Sequence, residues 1–477
     1  MAASEATLLE EEIKKLLDVE KLKHCFECGI CTASCSMVEL LEKDYNPRGL
    51  LEKVFLSPED VLSSYELWLC AWCYKCYRRC PQALKLPEIF LFMRTAAAKR
   101  GYLKPLEKAI QMIVENVPLP LVVTLVCLHP ERAGLDVQGF LEKIRNRRSK
   151  LKAKKRSVVG SEKKVAVIGS GPAGLTVAYE LARKGYHVTV FESLPEPGGM
   201  LRKCIPKHRL PRDVLEDELN FLRSLGIEFR VNTQIGKDLN FDDLWSEGYH
   251  AVFVGVGAHK SQKLRIEGGD LQGVVHALDF LWQINSDNKI RLDKSIAVIG
   301  GGNVAIDAAK TALKLGAENV TTFYRRSKDE MPANPWEVKE AEEAGVKFEF
   351  LVTPKRIVGE NGLVSALELV RMRLGDVDES GRRKPLPIEG SEFVWKTDMV
   401  ILATGEAPDL EFLPKELILN DDGTIWVNPL TMETSIRGVF AGGDAVTGPA
   451  SVIEAICAGK RAASAIENHL KAVAIEA

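Results

Sequence analysis

Val165-Ala166-Val167-Ile168-Gly169-Ser170-Gly171-Pro172-Ala173-Gly174 is an apolar run, rich in β-branched residues, that breaks on a glycine-rich turn. A short apolar run bounded in this way reads as a buried strand, and the helical pattern that follows continues through Lys184. The three glycines have separate tasks. Gly169 permits the tight turn, Gly171 lets a pyrophosphate reach the amides of the helix N-terminus opened by Pro172 and Ala173, and Gly174 lets the helix pack closely on the strand. The next strand, His187 to Phe191, ends at Glu192, where a carboxylate would bind ribose hydroxyls. Strand, helix and acid in this order predict a dinucleotide site on a Rossmann-type unit.

The unit recurs once. Ile296-Ala297-Val298-Ile299 leads into Gly300-Gly301-Gly302-Asn303-Val304-Ala305, a helix to Leu315 and a strand from Val320 to Tyr324. Ala305 replaces the third glycine, a tolerated change. Where Glu192 closes the first unit, Arg325 and Arg326 close the second. A carboxylate would repel a ribose 2'-phosphate, whereas a guanidinium can take it bidentately, so NADP(H) is expected over NAD(H). One acid-tipped and one arginine-tipped unit suggest a flavin held by the first and a nicotinamide presented by the second, with hydride passing between them. Further on, the strand Asp398 to Ala403 ends at Thr404-Gly405. Gly438-Val439-Phe440-Ala441-Gly442-Gly443-Asp444 reads as a short strand tipped by an exposed acid, a lid on the flavin.

Ahead of these units, eight of the eleven cysteines repeat one spacing. Cys25, Cys28, Cys31 and Cys35 form the first run; Cys70, Cys73, Cys76 and Cys80, closed by Pro81, form the second. In this pattern three thiolates wrap one cubane and the fourth points to the other cubane's open iron. Two [4Fe-4S] clusters with crossed ligand sets are expected: Cys25, Cys28, Cys31 and Cys80 on one, and Cys70, Cys73, Cys76 and Cys35 on the other. Four thiolates also suit zinc, although zinc modules usually separate their cysteine pairs by a longer stretch. Disulfides are disfavoured, because the acidic segment Met1 to Glu12 lacks the apolar core of a signal peptide and points to the cytoplasm.

A chain of 477 residues with 46% hydrophobic content can build two to four cores. Its net charge of -2 and pI near 6.5 offer no global case for nucleic acid or anionic lipid. The longest apolar run, Leu119 to Leu128, is well short of the roughly 18 residues of a membrane span. A helix is expected from Thr7 to His24, a turn at Asn46-Pro47-Arg48-Gly49, and a serine-capped helix start at Ser57-Pro58-Glu59-Asp60. Trp68, Trp72, Tyr74 and Tyr77 crowd the second cysteine run, as a low-dielectric shell around a cluster or as plain core. Residues 141–156 carry nine Lys or Arg and one acid, a solvated basic linker before Ser157-Val158-Val159-Gly160-Ser161. The expected architecture is α/β. A helical two-cluster, ferredoxin-like domain (1–105) and a helical, basic connection (106–162) precede a first flavin segment (163–292), an NADP(H) domain (293–400) and a second flavin segment (401–477).

From about Lys163 onward the chain resembles the glutamate synthase small-subunit family of flavoproteins. Beyond the two fingerprints the likeness rests on Glu196-Pro197-Gly198-Gly199-Met200-Leu201, Ile205-Pro206-Lys207-His208-Arg209-Leu210-Pro211, Tyr324-Arg325-Arg326, Met331-Pro332, Ala403-Thr404-Gly405 and Ala441-Gly442-Gly443-Asp444. It implies FAD in the first site, NADPH in the second, and a flavin domain interrupted by the NADP(H) domain. It also implies Asp444 near the flavin ribityl chain, with Gly199, Arg209, Thr404, Gly405 and Gly443 among the cofactor-binding residues. Lys203-Cys204 departs from the family's usual aromatic-glycine pair, and Cys204, Cys127 and Cys457 read as packed thiols.

The cysteine region is similar instead to the iron-sulfur domain of the heterodisulfide reductase family, although Ser36 stands where a proline usually follows the first run. The fusion resembles the NADPH-handling component of Nfn- and Stn-type transhydrogenases. That implies a partner flavoprotein or iron-sulfur subunits, with ferredoxin reached indirectly. The chemistry belongs to the cofactors, so no catalytic side chain is named. The alternatives are a glutamate synthase partner subunit and a non-catalytic electron conduit and scaffold.

Overall fold

Val165, Ala166 and Val167 are fully buried and Ile168 nearly so. Burying one side chain such as Val167 contributes roughly 1.5 to 3 kcal/mol. Strands buried on both faces belong in a parallel sheet with helical crossovers. In a computed structural model, which describes residues 9, 11–15, 21–22, 25–150, 162–262, 264–286, 292–378 and 381–476, this run is the central strand Lys164–Ile168 of such a sheet. The order across the sheet is Val439–Ala441, Tyr249–Val254, Lys164–Ile168, His187–Phe191 and Glu228–Arg230, every pair parallel. The second fingerprint strand, Ser295–Ile299, is central to a matching parallel sheet of Val274–His276, Met399–Leu402, Ser295–Ile299, Asn319–Tyr324 and Lys347–Phe350. An antiparallel sheet follows, in which the long strand Leu363–Val377 pairs with Val352–Glu360, Arg383–Pro387 and Phe393–Lys396.

The chain divides into two compact units. One holds the described residues up to Gly198, Arg212–Val256 and those from Leu410 onward; the other holds Gly199–Pro211 and Gly257–Asp409. The boundaries at 293 and 400 expected from the sequence both fall inside the second unit. The reason is the sheet itself: Val274–His276 and Met399–Leu402 pair in register at its edge, and that pairing draws in residues on either side of the expected limits.

The cysteine region is helical and part of the first unit. Asn46 does not make a free turn. Its Oδ1 accepts from Gly49 N at 3.1 Å and caps the helix Pro47–Leu56, which proline opens at its first position. Ser57 precedes the helix Pro58–Leu62 but makes no side-chain capping bond, so that start rests on Pro58 and the acids beside it. The apolar run Leu119 to Leu128 forms the short helical turns Pro120–Val123 and Thr124–Leu128, almost wholly buried. Among the described residues no helix is long and apolar enough to cross a membrane. The expected helix from Thr7 to His24 lies largely outside the described residues, as do the start of the chain and residues 151–161.

Candidate functional site

In the first unit Gly169 turns at φ +98°, and a Cβ there would meet the Gly255 carbonyl at 2.5 Å; a Cβ on Gly174 would collide with the Gly169 carbonyl. The space in front of Gly171 is open to 4 Å, and the helix Pro172–Arg183 has no side chain capping its N-terminus. An uncapped N-terminus behind an open glycine is a cradle for a pyrophosphate, so the residues fit the group. Glu192 is almost buried. Its carboxylate accepts from the Ser170 hydroxyl and from Ser170 N at 3.2 Å, Leu194 N at 2.9 Å and Ser193 Oγ at 3.2 Å. A carboxylate offers about four acceptor sites. A ribose hydroxyl would therefore replace the hydroxyl of exposed Ser193, while the buried Ser170 hydroxyl is held in place by Gly198 N at 2.8 Å. Gly443 lies against Ala173, and Asp444, half-buried at the start of the helix Asp444–Thr447, accepts from Ala450 N at 3.2 Å. The structure thus gathers Gly169, Gly171, Pro172, Ala173, Gly174, Gly443 and Asp444 at one end of one sheet.

The second unit repeats the arrangement. Gly300 turns against the Ala403 carbonyl, Gly302 faces open space, and the helix Asn303–Lys314 is likewise uncapped by any side chain. Asn303 Oδ1 accepts from Asn334 N at 3.1 Å, while Ala333 N donates to Gly301 O at 3.0 Å, so the loop after Met331-Pro332 folds onto the fingerprint. Thr404 and Gly405 bond to Gln262 (Thr404 Oγ1 to its carbonyl at 3.0 Å, its N–H to Gly405 O at 2.9 Å) and follow the strand next to the second fingerprint. They lie in this unit rather than in a second flavin segment.

The two arginines part company. Arg326 is 3% exposed and its guanidinium is used within the fold, Nη2 on Asp378 at 2.6 Å and Nε on the Arg383 carbonyl at 2.8 Å. Strand alternation turns neighbouring side chains to opposite faces, so Arg325 is exposed and has no polar partner among the described residues. Burial and the neighbouring Arg326 and Arg382 cations depress its pKa, which marks a locally positive spot suited to a phosphate. Arg209 also departs from expectation. It makes a bidentate pair with Asp307 at 2.7 and 2.9 Å and reaches Glu337 at 3.5 Å, so it anchors the segment Gly199–Pro211 to the second unit's own helix. Gly199 begins that segment and precedes the short helix Met200–Lys203. Cys204, Cys127 and Cys457 are buried; burial pushes the Cys204 thiol up to about 12.

The cysteines cross between runs. Burial raises the Cys25 thiol to about 11, helped by Cys31, Cys80 and Cys28; burial raises Cys35 to about 12, helped by Cys73 and Cys70. Cys80 thus lies with the first run and Cys35 with the second. Among the described residues no three His, Cys, Asp or Glu side chains converge on one position for a single ion. Leu84 N donates to Cys80 Sγ at 3.4 Å. Trp68, Trp72 and Tyr74 are buried around the second run, Trp72 Nε1 donating to the Pro87 carbonyl at 2.6 Å. Both runs meet the helix Val452–Glu476: Lys75 in the second pairs with Glu454 at 3.0 Å, and Cys457 Sγ lies 3.4 Å from the carbonyl of Ser36, next to Cys35 of the first. The same helix packs on the first fingerprint, Gly459 lying close against the Ala173 carbonyl and Thr176.

Several residues escape a reading of the sequence. Arg382, just before the strand Arg383–Pro387, acts electrostatically on Arg325 with no local signal in the sequence. Gly255 and Gly257 end the strand Tyr249–Val254 as Thr404-Gly405 ends its counterpart, a repeat visible in Val254-Gly255-Val256-Gly257. Arg94, a lone buried cation in the apolar helix Leu86–Lys99, was legible as an anomaly.

Residues 163–459 match the pyridine nucleotide-disulphide oxidoreductase family, and residues 21–84 match the 4Fe-4S dicluster domain. The NADPH-Fe(3+) oxidoreductase subunit beta of Geobacter sulfurreducens is 38% identical across 98% of this chain and 74% of its own length. The NADP(+)-dependent formate dehydrogenase subunit beta of Moorella thermoacetica is 40% identical across 83% of this chain, which spans 60% of that protein. The glutamate synthase small chain of Escherichia coli is 39% identical over 65% of this chain and 69% of its own. Among solved structures, Mycobacterium tuberculosis FprA in complex with NADPH shares the fold, with a TM-score of 0.56 and 21% identity over 66% of this chain and 86% of that one. The likeness to the glutamate synthase small subunit read from the motifs is therefore met at the level of whole domains. The chain belongs to the pyridine nucleotide-disulphide oxidoreductase family, and it joins that family's FAD- and NAD(P)H-binding fold to a 4Fe-4S dicluster domain.

Proposed function

We propose that this chain is the NADPH-linked electron-transfer subunit of a larger cytoplasmic oxidoreductase, one that exchanges electrons with a partner handling NAD(H) and ferredoxin in the manner of a transhydrogenase. Bound FAD and NADP(H) supply hydride chemistry, and two [4Fe-4S] clusters supply one-electron chemistry. The chain's own residues bind and order these groups. Gly171 and the first fingerprint helix seat the flavin pyrophosphate and Glu192 takes its ribose; Gly302 and Asn303 seat the nicotinamide dinucleotide, with Arg325 at its 2'-phosphate. Cys35, Cys70, Cys73 and Cys76 hold one cluster, and Cys25, Cys28, Cys31 and Cys80 the other. One observation carries the reading. The helix Val452–Glu476 lies on the first fingerprint at Gly459, on the second cysteine run at Glu454 and beside Cys35 at Cys457, which supports Cys35, Cys70, Cys73 and Cys76 as the flavin-side set. The other set, with Cys28 exposed, is the exit toward a partner.

The likeness to relatives that are beta subunits of larger enzymes supports a multisubunit setting. The test is anaerobic purification with its co-purifying subunits, followed by NADPH titration. About eight irons and one FAD, with flavin bleaching by NADPH and transfer of electrons to an NAD- or ferredoxin-reducing partner, is the expected result. Stoichiometric zinc without broad visible absorption would end the cluster assignment. A flavin that NADPH does not bleach would leave only a conduit and scaffold, and co-purification with a large amidotransferase would point to glutamate synthesis.

A further inference from the structure

Tyr45 is 2% exposed, and its hydroxyl has no hydrogen-bond partner among the described residues. Buried hydroxyls in folded chains are rarely left unpaired, so an orphan of this kind calls for a partner that is not protein. Its surroundings indicate which. The groups acting on this hydroxyl are Cys70, Cys35 and Cys76, thiols drawn from both runs and belonging to one crossed set. A second observation meets at the same place. Arg94 is 4% exposed and donates to three carbonyls, those of Cys70 at 2.7 Å, Leu67 at 2.8 Å and Leu128 at 3.0 Å. Among the described residues no carboxylate pairs with it. A buried guanidinium normally has an anionic counterpart, and the titratable groups beside Arg94 are Cys70 and Tyr45.

We propose that the Tyr45 hydroxyl donates a hydrogen bond to a sulfur of the cluster held by Cys35, Cys70, Cys73 and Cys76, and that Tyr45 and Arg94 together favour that cluster's reduced form. Reduction adds one negative charge to the cluster, and a hydrogen bond and a buried cation both stabilise the more negative state. A phenol titrates at about pH 10 and so carries its proton at neutral pH, which leaves the hydroxyl a donor. Beside the other set the cation acting on Cys25 is Arg48, which is half-buried where Arg94 is buried, and the two clusters should differ in potential for this reason. The inference rests on the reading that these thiols hold clusters, and the test separates the two.

Wild-type and Tyr45→Phe proteins are purified anaerobically, assayed for iron, and titrated with dithionite while the two reduced-cluster signals are followed by electron paramagnetic resonance. With iron content unchanged, one signal in the variant should shift to lower potential by about a tenfold change in the reduced-to-oxidised ratio, about 59 mV for a one-electron couple. The other signal should stay in place. Full iron with both midpoints unmoved overturns the role of Tyr45 and leaves the clusters standing; wild-type protein without iron removes the clusters themselves. If the variant loses iron, wild-type protein reduced in heavy water decides. A strongly coupled exchangeable deuteron at one cluster, detected by electron-nuclear double resonance, supports the bond, and its absence overturns it.

Discussion

The separation of Arg325 from Arg326 makes cofactor selectivity the sharpest test of the nicotinamide site. Arg325 is exposed just past Asn319–Tyr324 with no polar partner among the described residues, so replacing it removes no hydrogen bond or ion pair seen there. What it removes is one charge-assisted contact to a 2'-phosphate, worth about 1.5 to 3 kcal/mol. Arg325→Ala should therefore raise the half-saturating NADPH concentration roughly 10-fold to 150-fold while leaving the NADH value nearly unchanged. Arg326→Ala should behave oppositely. It strips Asp378 and the Arg383 carbonyl of a guanidinium that is 3% exposed. The cost, about 1.5 to 3 kcal/mol of stability, falls on the turn between Leu363–Val377 and Arg383–Pro387 and so on both nucleotides alike. Stopped-flow flavin reduction with each nucleotide, beside thermal unfolding of each variant, gives all four values. Equal weakening of NADPH and NADH by Arg325→Ala, in a variant of unchanged stability, would refute the phosphate assignment.

Three further outcomes follow from the geometry. Cys73→Ser should weaken or remove the flavin-side cluster, seen as lost visible absorption and iron, while NADPH still bleaches the flavin at its normal rate; collapse of bleaching in a folded variant would contradict the order of carriers. Gly174→Val, whose Cβ would strike the Gly169 carbonyl, should give protein purified with little FAD, measured by absorbance after denaturation; full FAD occupancy would mean the helix can move away from its strand. Arg148→Met leaves Glu218, fully buried and held otherwise by Leu121 N at 2.6 Å, without its cation. Loss of one partner from a buried pair costs about 3 to 5 kcal/mol, so chemical denaturation should show a clear drop, and an unchanged midpoint would show that Glu218 takes up a proton at little expense.

The local features of this chain were legible because local physics sets them. A run of β-branched residues ending in glycine can do little but form a buried strand and a tight turn, and the strand His187–Phe191 has the limits its pattern predicts. Cysteine spacing carries its chemistry in the same way. Asn46-Pro47-Arg48-Gly49 reads as a turn but starts a helix, since the same residues serve both and the apolar face of Pro47–Leu56 packing into the core decides. Long-range choices were beyond the sequence. Arg209 finds Asp307 and Glu337, and Arg326 finds Asp378, through pairings separated by 98, 128 and 52 positions. A charged side chain does not announce whether a distant carboxylate or a cofactor will neutralise it. The sequence alone determined the kinds of site, because turn sterics, thiolate spacing and strand-end charge act within a few residues. Only the tertiary structure decided which charges remain available to a ligand, because burial and ion pairing depend on what the fold brings alongside.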